Sequence, residues 1–549
     1  MFSRKYLFTE VFIKSLCSVN TNRYFKTSVQ VKKHLTFHKW TLDYFRNQPH
    51  YNKFVLKQSI TEDKKSLYNS INLNTTSTDE LLMNYFSLTN ISHHEIDKEL
   101  ATRVNDMSIN QILALMDACL SGKLQFHKNS RSFKKCIELM DELWFRRPDL
   151  TISQTIQLIY YVSINKNKSK HVVEFGLQKL MNEIDYLKKL TDEELSVIAV
   201  ATYKTSAKVY DKMLRIFAYR LERNLDNLIH NPLNFVSMIK PLKKAKYHDP
   251  VLLTRLINAF SSNKNNKVLE DVTSSIHLLT YFADANCGEV DFLQQLIDSI
   301  GNIMIKDCLK HYRIKDVSNY VFSASYLGIT PNNPNVCKMI VNFIEDIFKS
   351  KKKCEEMSKT LIGMCLSMWM LNYKPIKIMQ FMFNEVPVTT LRMPNAHKQD
   401  NRLNLLLTCA HIEHPNLKLG HQLIEETTNS MPKPSKHLAE RPFLVMVYKS
   451  LQTLSYELDI MHVEYNFCIP NLRILGIKII RTNGEIIYVE VLDNSNCLYN
   501  TLIPNGMMKL KFRLESKLNY FVIRVNNKEN TLRNSIELKC HLESLLSKK

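Results

Sequence analysis

The sequence predicts a mainly α-helical protein: an α-solenoid of helix pairs, each about 40 residues long, followed by a small C-terminal α/β domain. Three observations predict this. Apolar residues recur at helical spacing almost without a break from about residue 101. Similar amphipathic segments return, beginning near Met107, Leu150, Leu190, Asn231, Val268, Arg313 and Ser358, with 37 to 45 residues between successive starts. Only beyond Val463 does the pattern change to short apolar runs with strand character. The 10 glycines in 549 residues are too few for a long all-β or glycine-loop architecture.

Residues 1–33 carry Arg4, Lys5, Lys14, Arg23, Lys26, Lys32 and Lys33 against the single acid Glu10. Leu7, Phe8, Val11, Phe12 and Leu16 lie opposite the basic positions at helical spacing. That is the make-up of a mitochondrial transit peptide, with Arg23-Tyr24-Phe25 as a candidate processing point. The plain alternative is a basic N-terminal arm. Residues 34–100 read as a partly disordered N-terminal extension, with a polar Asn/Ser/Thr-rich stretch at 64–79.

Residues 101–430 are the predicted solenoid. Most repeat segments open with Ser, Thr, Asn or Asp near an acid, an N-cap signal. Second helices, such as 209–223 and 336–348, fall between them. A pair of this kind cannot bury its apolar face alone, so neighbours stack and leave an extended concave surface. A break at Met431-Pro432-Lys433-Pro434 opens a helical connector over 431–470, which includes a helix at 443–458.

Residues 471–549 form the predicted α/β domain. Strands at 475–480 and 486–489 flank Asn483-Gly484, a hairpin signal. A loop leads to Pro504-Asn505-Gly506 and a helix over 507–518, in which Leu510, Leu514 and Leu518 form one stripe. Lys509, Arg513 and Lys517 form a cationic stripe beside it. Asn519-Tyr520 turns the chain into a last strand at 521–525.

The net charge is +21, from 74 basic and 53 acidic residues, which suits a polyanionic partner such as nucleic acid. Compositional bias toward Asn, Lys and Ile offers a ligand-free account of the same charge. Twelve scattered cysteines without a C-x-x-C pair fit a reducing compartment. No apolar run reaches the roughly 18 residues of a membrane span.

The C-terminal unit resembles a RAP domain, the small terminal module of the FAST kinase domain-containing family of mitochondrial RNA regulators. The residues that carry the likeness are Glu490 at a strand end, Gly506, the basic–leucine helix at 509–514, and Asn519-Tyr520. Upstream, Leu403 to Leu407 with Ile412-Glu413-His414-Pro415, and Met364 to Tyr373 (MCLSMWMLNY), resemble segments of the family's FAST-type region, here about 310–430. The RAP domain's fold is similar to that of restriction-endonuclease-like nucleases. The resemblance therefore raises a Mg²⁺-dependent RNA endonuclease, with Glu490 and Asp493 as candidate catalytic acids. The pattern is incomplete, because Leu492 stands where that chemistry needs lysine, Asn496 where relatives often carry His, and the strand before Glu490 lacks an acid. A structural Glu490, paired with Lys509 and Arg513, is the competing reading. Kinase chemistry is not supported, since no G-x-G, H-R-D or D-F-G occurs to hold phosphates as protein kinases do.

RNA binding needs cations for phosphates and flat side chains for bases. Three clusters offer both: Lys212, Arg215 and Tyr219; Lys240, Lys243 and Lys244 with Tyr247; and Lys509, Arg513 and Lys517 with Tyr520. Each taken singly also fits a solvated helix face. His411 and His414 lack a third ligand for zinc. The resemblance implies a matrix protein that binds mitochondrial RNA and regulates transcript stability or processing. Other RNA-processing proteins are its possible partners, with no membrane span, no DNA and no cofactor expected; Mg²⁺ enters only under the nuclease alternative. A protein-binding scaffold is the second alternative.

Overall fold

A computed structural model describes residues 37–52, 73, 75–87, 93–120, 130–146, 150–165, 170–182, 187–262, 266–391, 397–417, 434–499, 501–526 and 535–547. The expected transit segment, most of the 64–79 stretch and residues 431–433 lie outside these. The protein is mainly α-helical, with helix-pair repeats and a small C-terminal α/β domain. Two compact units are found, one over Val29–Val268 and one containing Leu269–Lys549.

The first unit contains α1 (Phe37–Asn47), α2 (Thr78–Ser87), α3 (His93–Arg103), α4 (Ile109–Leu120), α5 (Arg131–Arg146), α6 (Ile152–Ser163), α7 (Lys170–Asn182), α8 (Asp192–Thr205), α9 (Asp211–Arg223), α10 (Pro232–Ala245) and α11 (Pro250–Ser262). Helices α4, α6, α8 and α10 stack in sequence order. They are the predicted repeat segments, and the signals that start them are capping groups. Thr151 with Gln154, and Thr191 with Glu194, form complete capping boxes. Asn231 caps α10 by accepting from the backbone N–H of Asn234. Each cap is worth about 1 kcal/mol. The same residues tie neighbouring repeats together. Gln154 donates to Asn110 at 3.1 Å, and Asn234 donates to Glu193 at 3.3 Å. Helix α10 runs unbroken through Pro241 and ends with Lys246 in the left-handed region, φ 54°.

The second unit contains α12 (Val272–Ala285), α13 (Val290–Lys306), α14 (Ile314–Leu327), α15 (Pro334–Ile347), α16 (Ser358–Met370), α17 (Ile376–Glu385), α18 (His397–Glu413) and α19 (Pro442–Thr453). Its inner stack is α12, α14, α16 and α18. There follow β1 (Ile460–Asn466), β2 (Gly476–Arg481), β3 (Ile486–Leu492), α20 (Gly506–Lys517), β4 (Val522–Asn526) and α21 (Ser535–Ser547). The sheet order is β1-β2-β3-β4, antiparallel except for the parallel β3–β4 pair that α20 connects. Strand β1 falls where the sequence suggested a helical connector. Its alternation is short and is broken by a register shift between Ile460 and His462. Helix α21 was not anticipated, although Leu538, Leu542 and Leu546 mark its buried stripe.

One sheet face, including Ile477, Ile479, Ile487, Val489, Ile523 and Val525, packs with residues of α19 and α21 into a single core. On the opposite face lies α20, which also packs on α14, α16 and α18. Gly506 makes this approach possible. A Cβ there would collide with the Ser325 carbonyl at the end of α14. Tyr499 N–H donating to Asn286 O at 2.6 Å, and Asn471 to Thr408 at 2.9 Å, fix the same junction.

Candidate functional site

Glu490 does not meet Lys509 or Arg513. Its partner is Lys511, whose Nζ is 2.5 Å from Glu490 Oε1 and 3.0 Å from Ile474 O. The helix turns Lys511 toward the sheet between Leu510 and Leu514, while the expected cationic stripe faces elsewhere. Glu515, one turn on, lies 3.9 Å from the ammonium. Cys468 donates to Glu515 Oε1 at 3.0 Å. The Lys511 side chain is 0% exposed and both glutamates are 1% exposed. Gly476 on β2 faces Glu490, and a Cβ there would strike the carboxylate.

Two carboxylates share one ammonium in this dry pocket, so one carboxyl is best left protonated. Burial, then the charge of Glu490, pushes Glu515 up to about 8. Burial also pushes the Cys468 thiol up. Burial is the largest single influence on Lys511 and lowers its pKa, but the charges of Glu490, Cys468 and Glu515 and the Glu490 hydrogen bond together outweigh it, so the pKa is raised. Oε2 of Glu490 and Oε2 of Glu515 have no hydrogen-bond partner among the described residues. A proton on Glu515 donated to Glu490 satisfies both oxygens.

Cys468, Glu490 and Glu515 bring their ligand atoms within 4.8 Å of one another. They do not fit a Mg²⁺ nuclease centre, which needs oxygen donors and open water positions. Here one donor is sulfur, an ammonium sits on Glu490, and Gly476 stands where a second strand acid would be. Asp493, the other candidate acid, is outside the cluster. Arg441 holds it at 2.7 Å, and its second oxygen accepts from the Ser495 backbone N–H at 2.9 Å.

The cationic stripe of α20 is divided in its use. Lys509 donates to Gly328 O at 2.7 Å. Arg513 pairs with Glu413 at 2.8 Å and donates to the carbonyls of Trp369 and Met370 at 2.7 and 3.2 Å. Both therefore fasten α20 to the helical repeats, and Lys517 remains exposed. Tyr520 stacks on Tyr488, with ring centroids 4.6 Å apart.

In the first unit, Lys212, Arg215 and Tyr219 are exposed along α9. Lys243 is buried, so it does not present a phosphate contact, while Lys244 is exposed and Lys240 half-buried. The Lys244 and Lys240 ammonium groups lie 5.2 and 5.9 Å from the centre of the Tyr203 ring on the neighbouring repeat. Lys204 lies 5.3 Å from the Tyr160 ring, and Lys208 lies 5.7 Å from the Tyr210 ring. The ends of α6, α8 and α10 thus carry a lysine–tyrosine array. Burial, then Asp249, raises the Tyr247 hydroxyl pKa, and Arg215 opposes the rise. The sequence reading missed Tyr203, Lys204 and Lys208. Their signal is position: Lys204 and Lys244 stand at the same distance from the caps Thr191 and Asn231.

No family model matches the sequence. FAST kinase domain-containing protein 5, mitochondrial, of Pongo abelii is 21% identical over 280 residues, covering 51% of this chain and 34% of that protein. The Homo sapiens protein of the same name is 22% identical over 234 residues, covering 42% and 28%. Over these stretches the chain is similar to FAST kinase domain-containing proteins. The alignments span about a third of the relatives' own length. Chain length and the MSINQILALMDACL segment pointed toward member 4 of the FAST kinase domain-containing proteins; the matched relatives are member 5. The likeness gives physical meaning to the segments that suggested it. Trp369 from MCLSMWMLNY donates its indole N–H to Glu413 at 2.5 Å, and Glu413 holds Arg513 of the basic–leucine helix. Three segments distant in sequence form one network.

Proposed function

We propose that this chain binds mitochondrial RNA in the matrix and regulates the stability or processing of transcripts, with a RAP-type C-terminal domain. The observation that carries the reading is the array in which Lys240 and Lys244 flank the half-buried Tyr203 and Lys208 lies beside the half-buried Tyr210, while the Tyr160 ring beneath Lys204 is itself buried and only Lys204 is offered there. Ammonium groups neutralise phosphates, and flat rings accept unstacked bases. A net charge of +21 works in the same direction. That the matched relatives are named mitochondrial proteins supports the compartment in this reading.

The nuclease alternative gains nothing from the geometry, since Glu490 is sealed against Lys511 and Asp493 is held by Arg441. The test is ultraviolet crosslinking in isolated mitochondria, followed by mapping of the crosslinked peptides. Crosslinks over residues 203–247 support the reading. Undetectable RNA crosslinking, or affinity in vitro that is indifferent to salt, overturns it.

A further inference from the structure

Among the described residues, the sheet face that carries Glu490 is covered only in part. Helix α20 lies over the row in which Gly476, Glu490 and Arg524 stand side by side on β2, β3 and β4. The next row on the same face runs Glu464, Lys478, Tyr488 and Val522 across all four strands. None of the four is buried. Beyond it stand Ile480 and Ile486, the latter 43% exposed. Tyr520 comes from the turn after α20, where Asn519 takes φ 55°, and lays its ring against Tyr488 at 4.6 Å and 25°. The face therefore presents a stacked aromatic pair in the middle of an open sheet.

A second flat stack stands at the β4 edge. The Arg524 guanidinium lies 3.8 Å from the centre of the Phe512 ring of α20, and Arg524 is exposed. Lys517, at the end of α20, is exposed beside the turn that carries Tyr520. Lys478 stands beside Tyr488 in the row, and Lys517 and Arg524 are exposed basic side chains on α20 and β4. The one acid of the row, Glu464, is paired with Lys478 at 3.0 Å and lies 3.6 Å from His462.

We propose that this uncovered half-face is a stacking platform for the bases of single-stranded RNA, centred on Tyr488 and Tyr520, with Lys517 and Arg524 on the phosphates. The inference rests on the RNA-binding reading above and deepens it. A duplex keeps its bases stacked inside and offers them no ring face, so the platform selects unpaired RNA. Stacked rings accept any base, so discrimination among sequences is weak here.

The test uses the full chain and a short fluorescein-labelled single-stranded RNA, read by anisotropy. Tyr488→Ala and Tyr520→Ala are each expected to weaken binding about tenfold, the scale of one lost base–aromatic stack. Tyr488→Phe, which keeps the ring, is expected to bind like the parent. That conservative variant separates stacking from misfolding, and a matching thermal melt of Tyr488→Ala guards against general loss of structure. Excess unlabelled single-stranded RNA is expected to compete, and a duplex of the same sequence to compete poorly. Unchanged affinity in both Ala variants overturns the proposal, and is also the result expected if the face serves a protein partner. If those variants are neutral while Lys240→Ala with Lys244→Ala weakens binding, only the platform fails. If the parent chain binds no RNA, the platform and the proposed function fail together.

Discussion

Arg513 Nε lies 2.8 Å from Glu413 Oε1, joining α20 to the end of α18 across 100 residues of sequence. Glu413 is 1% exposed and also accepts from the Trp369 indole. A carboxylate so buried depends on its donors. Arg513→Ala removes a bidentate cation and frees the carbonyls of Trp369 and Met370. We expect a loss of roughly 3 kcal/mol in urea unfolding of the second unit. Arg513→Lys restores only part, since an ammonium cannot reproduce the planar fork. Coupling near zero in a double-mutant cycle with Glu413→Gln would show that the contact contributes nothing.

Gly506 and Gly476 carry a second expectation, because both hold open a close approach rather than a turn. Gly506→Ala drives a methyl into the Ser325 carbonyl, which is backbone and cannot yield cheaply. Gly476→Ala drives one into the Glu490 carboxylate. Overpacking of this kind costs roughly 1–3 kcal/mol. Gly484 has nothing within 4 Å of its Cβ position and a φ of 85°. Gly484→Asn meets no atom and bears only the backbone cost of the left-handed region, which Asn tolerates better than most residues, so it is the contrast and should lower the melting temperature less than either collision. Equal melting temperatures for all three variants would refute the argument.

The helix repeats were legible because α6, α8, α10 and α12 start at the caps Thr151, Thr191, Asn231 and Asp271, and because the apolar period continues through α14 and α16, which start at Arg313 and Met357 without a side-chain cap. The site was legible only in part. Spacing along α20 correctly separated the leucine stripe from Lys509, Arg513 and Lys517. It could not tell that Gly328 and Glu413, distant in sequence, would claim the first two. Lys511 was passed over because it sits among apolar neighbours, yet a lysine in that phase must find a buried partner. Lys511 and Glu515 stand four residues apart on the helix, and that spacing is the signal that points to their cluster. Tyr488 was hidden inside an apolar strand, since a face left open is a tertiary property that alternation alone does not reveal.

The proton assigned to Glu515 makes stability depend on pH. Unfolded, this carboxyl titrates at the ordinary 4.5; folded, it titrates at about 8. Between these values the folded chain holds a proton that the unfolded chain has released. Stability therefore falls as pH rises through that window, by up to about 1.4 kcal/mol per unit, and levels off above it. Glu515→Gln keeps a neutral donor toward Glu490 and removes the titration. Its urea midpoint should decline less steeply than the parent's between about pH 5 and about pH 8. Parallel profiles for parent and variant would place the proton elsewhere.

The lysine–tyrosine array makes the final expectation, and its readout is a slope rather than an affinity. Each phosphate neutralised on a single strand contributes about 0.7 to the dependence of log affinity on log salt. Lys240 and Lys244 flank one ring, Tyr203, from the next repeat. If both contact phosphates, replacing both with Ala should lower that slope by roughly 1.4 as well as weakening binding. Lys244 also donates to Tyr203 O at 3.1 Å and Ser206 Oγ at 2.7 Å, so a thermal melt must accompany the titration. Lys243, buried in the same helix turn, serves as the contrast. Lys243→Met keeps the buried volume, and should leave the salt slope unchanged. A slope that drops for Lys243→Met and not for the Lys240/Lys244 pair would reverse the assignment of which lysines face RNA.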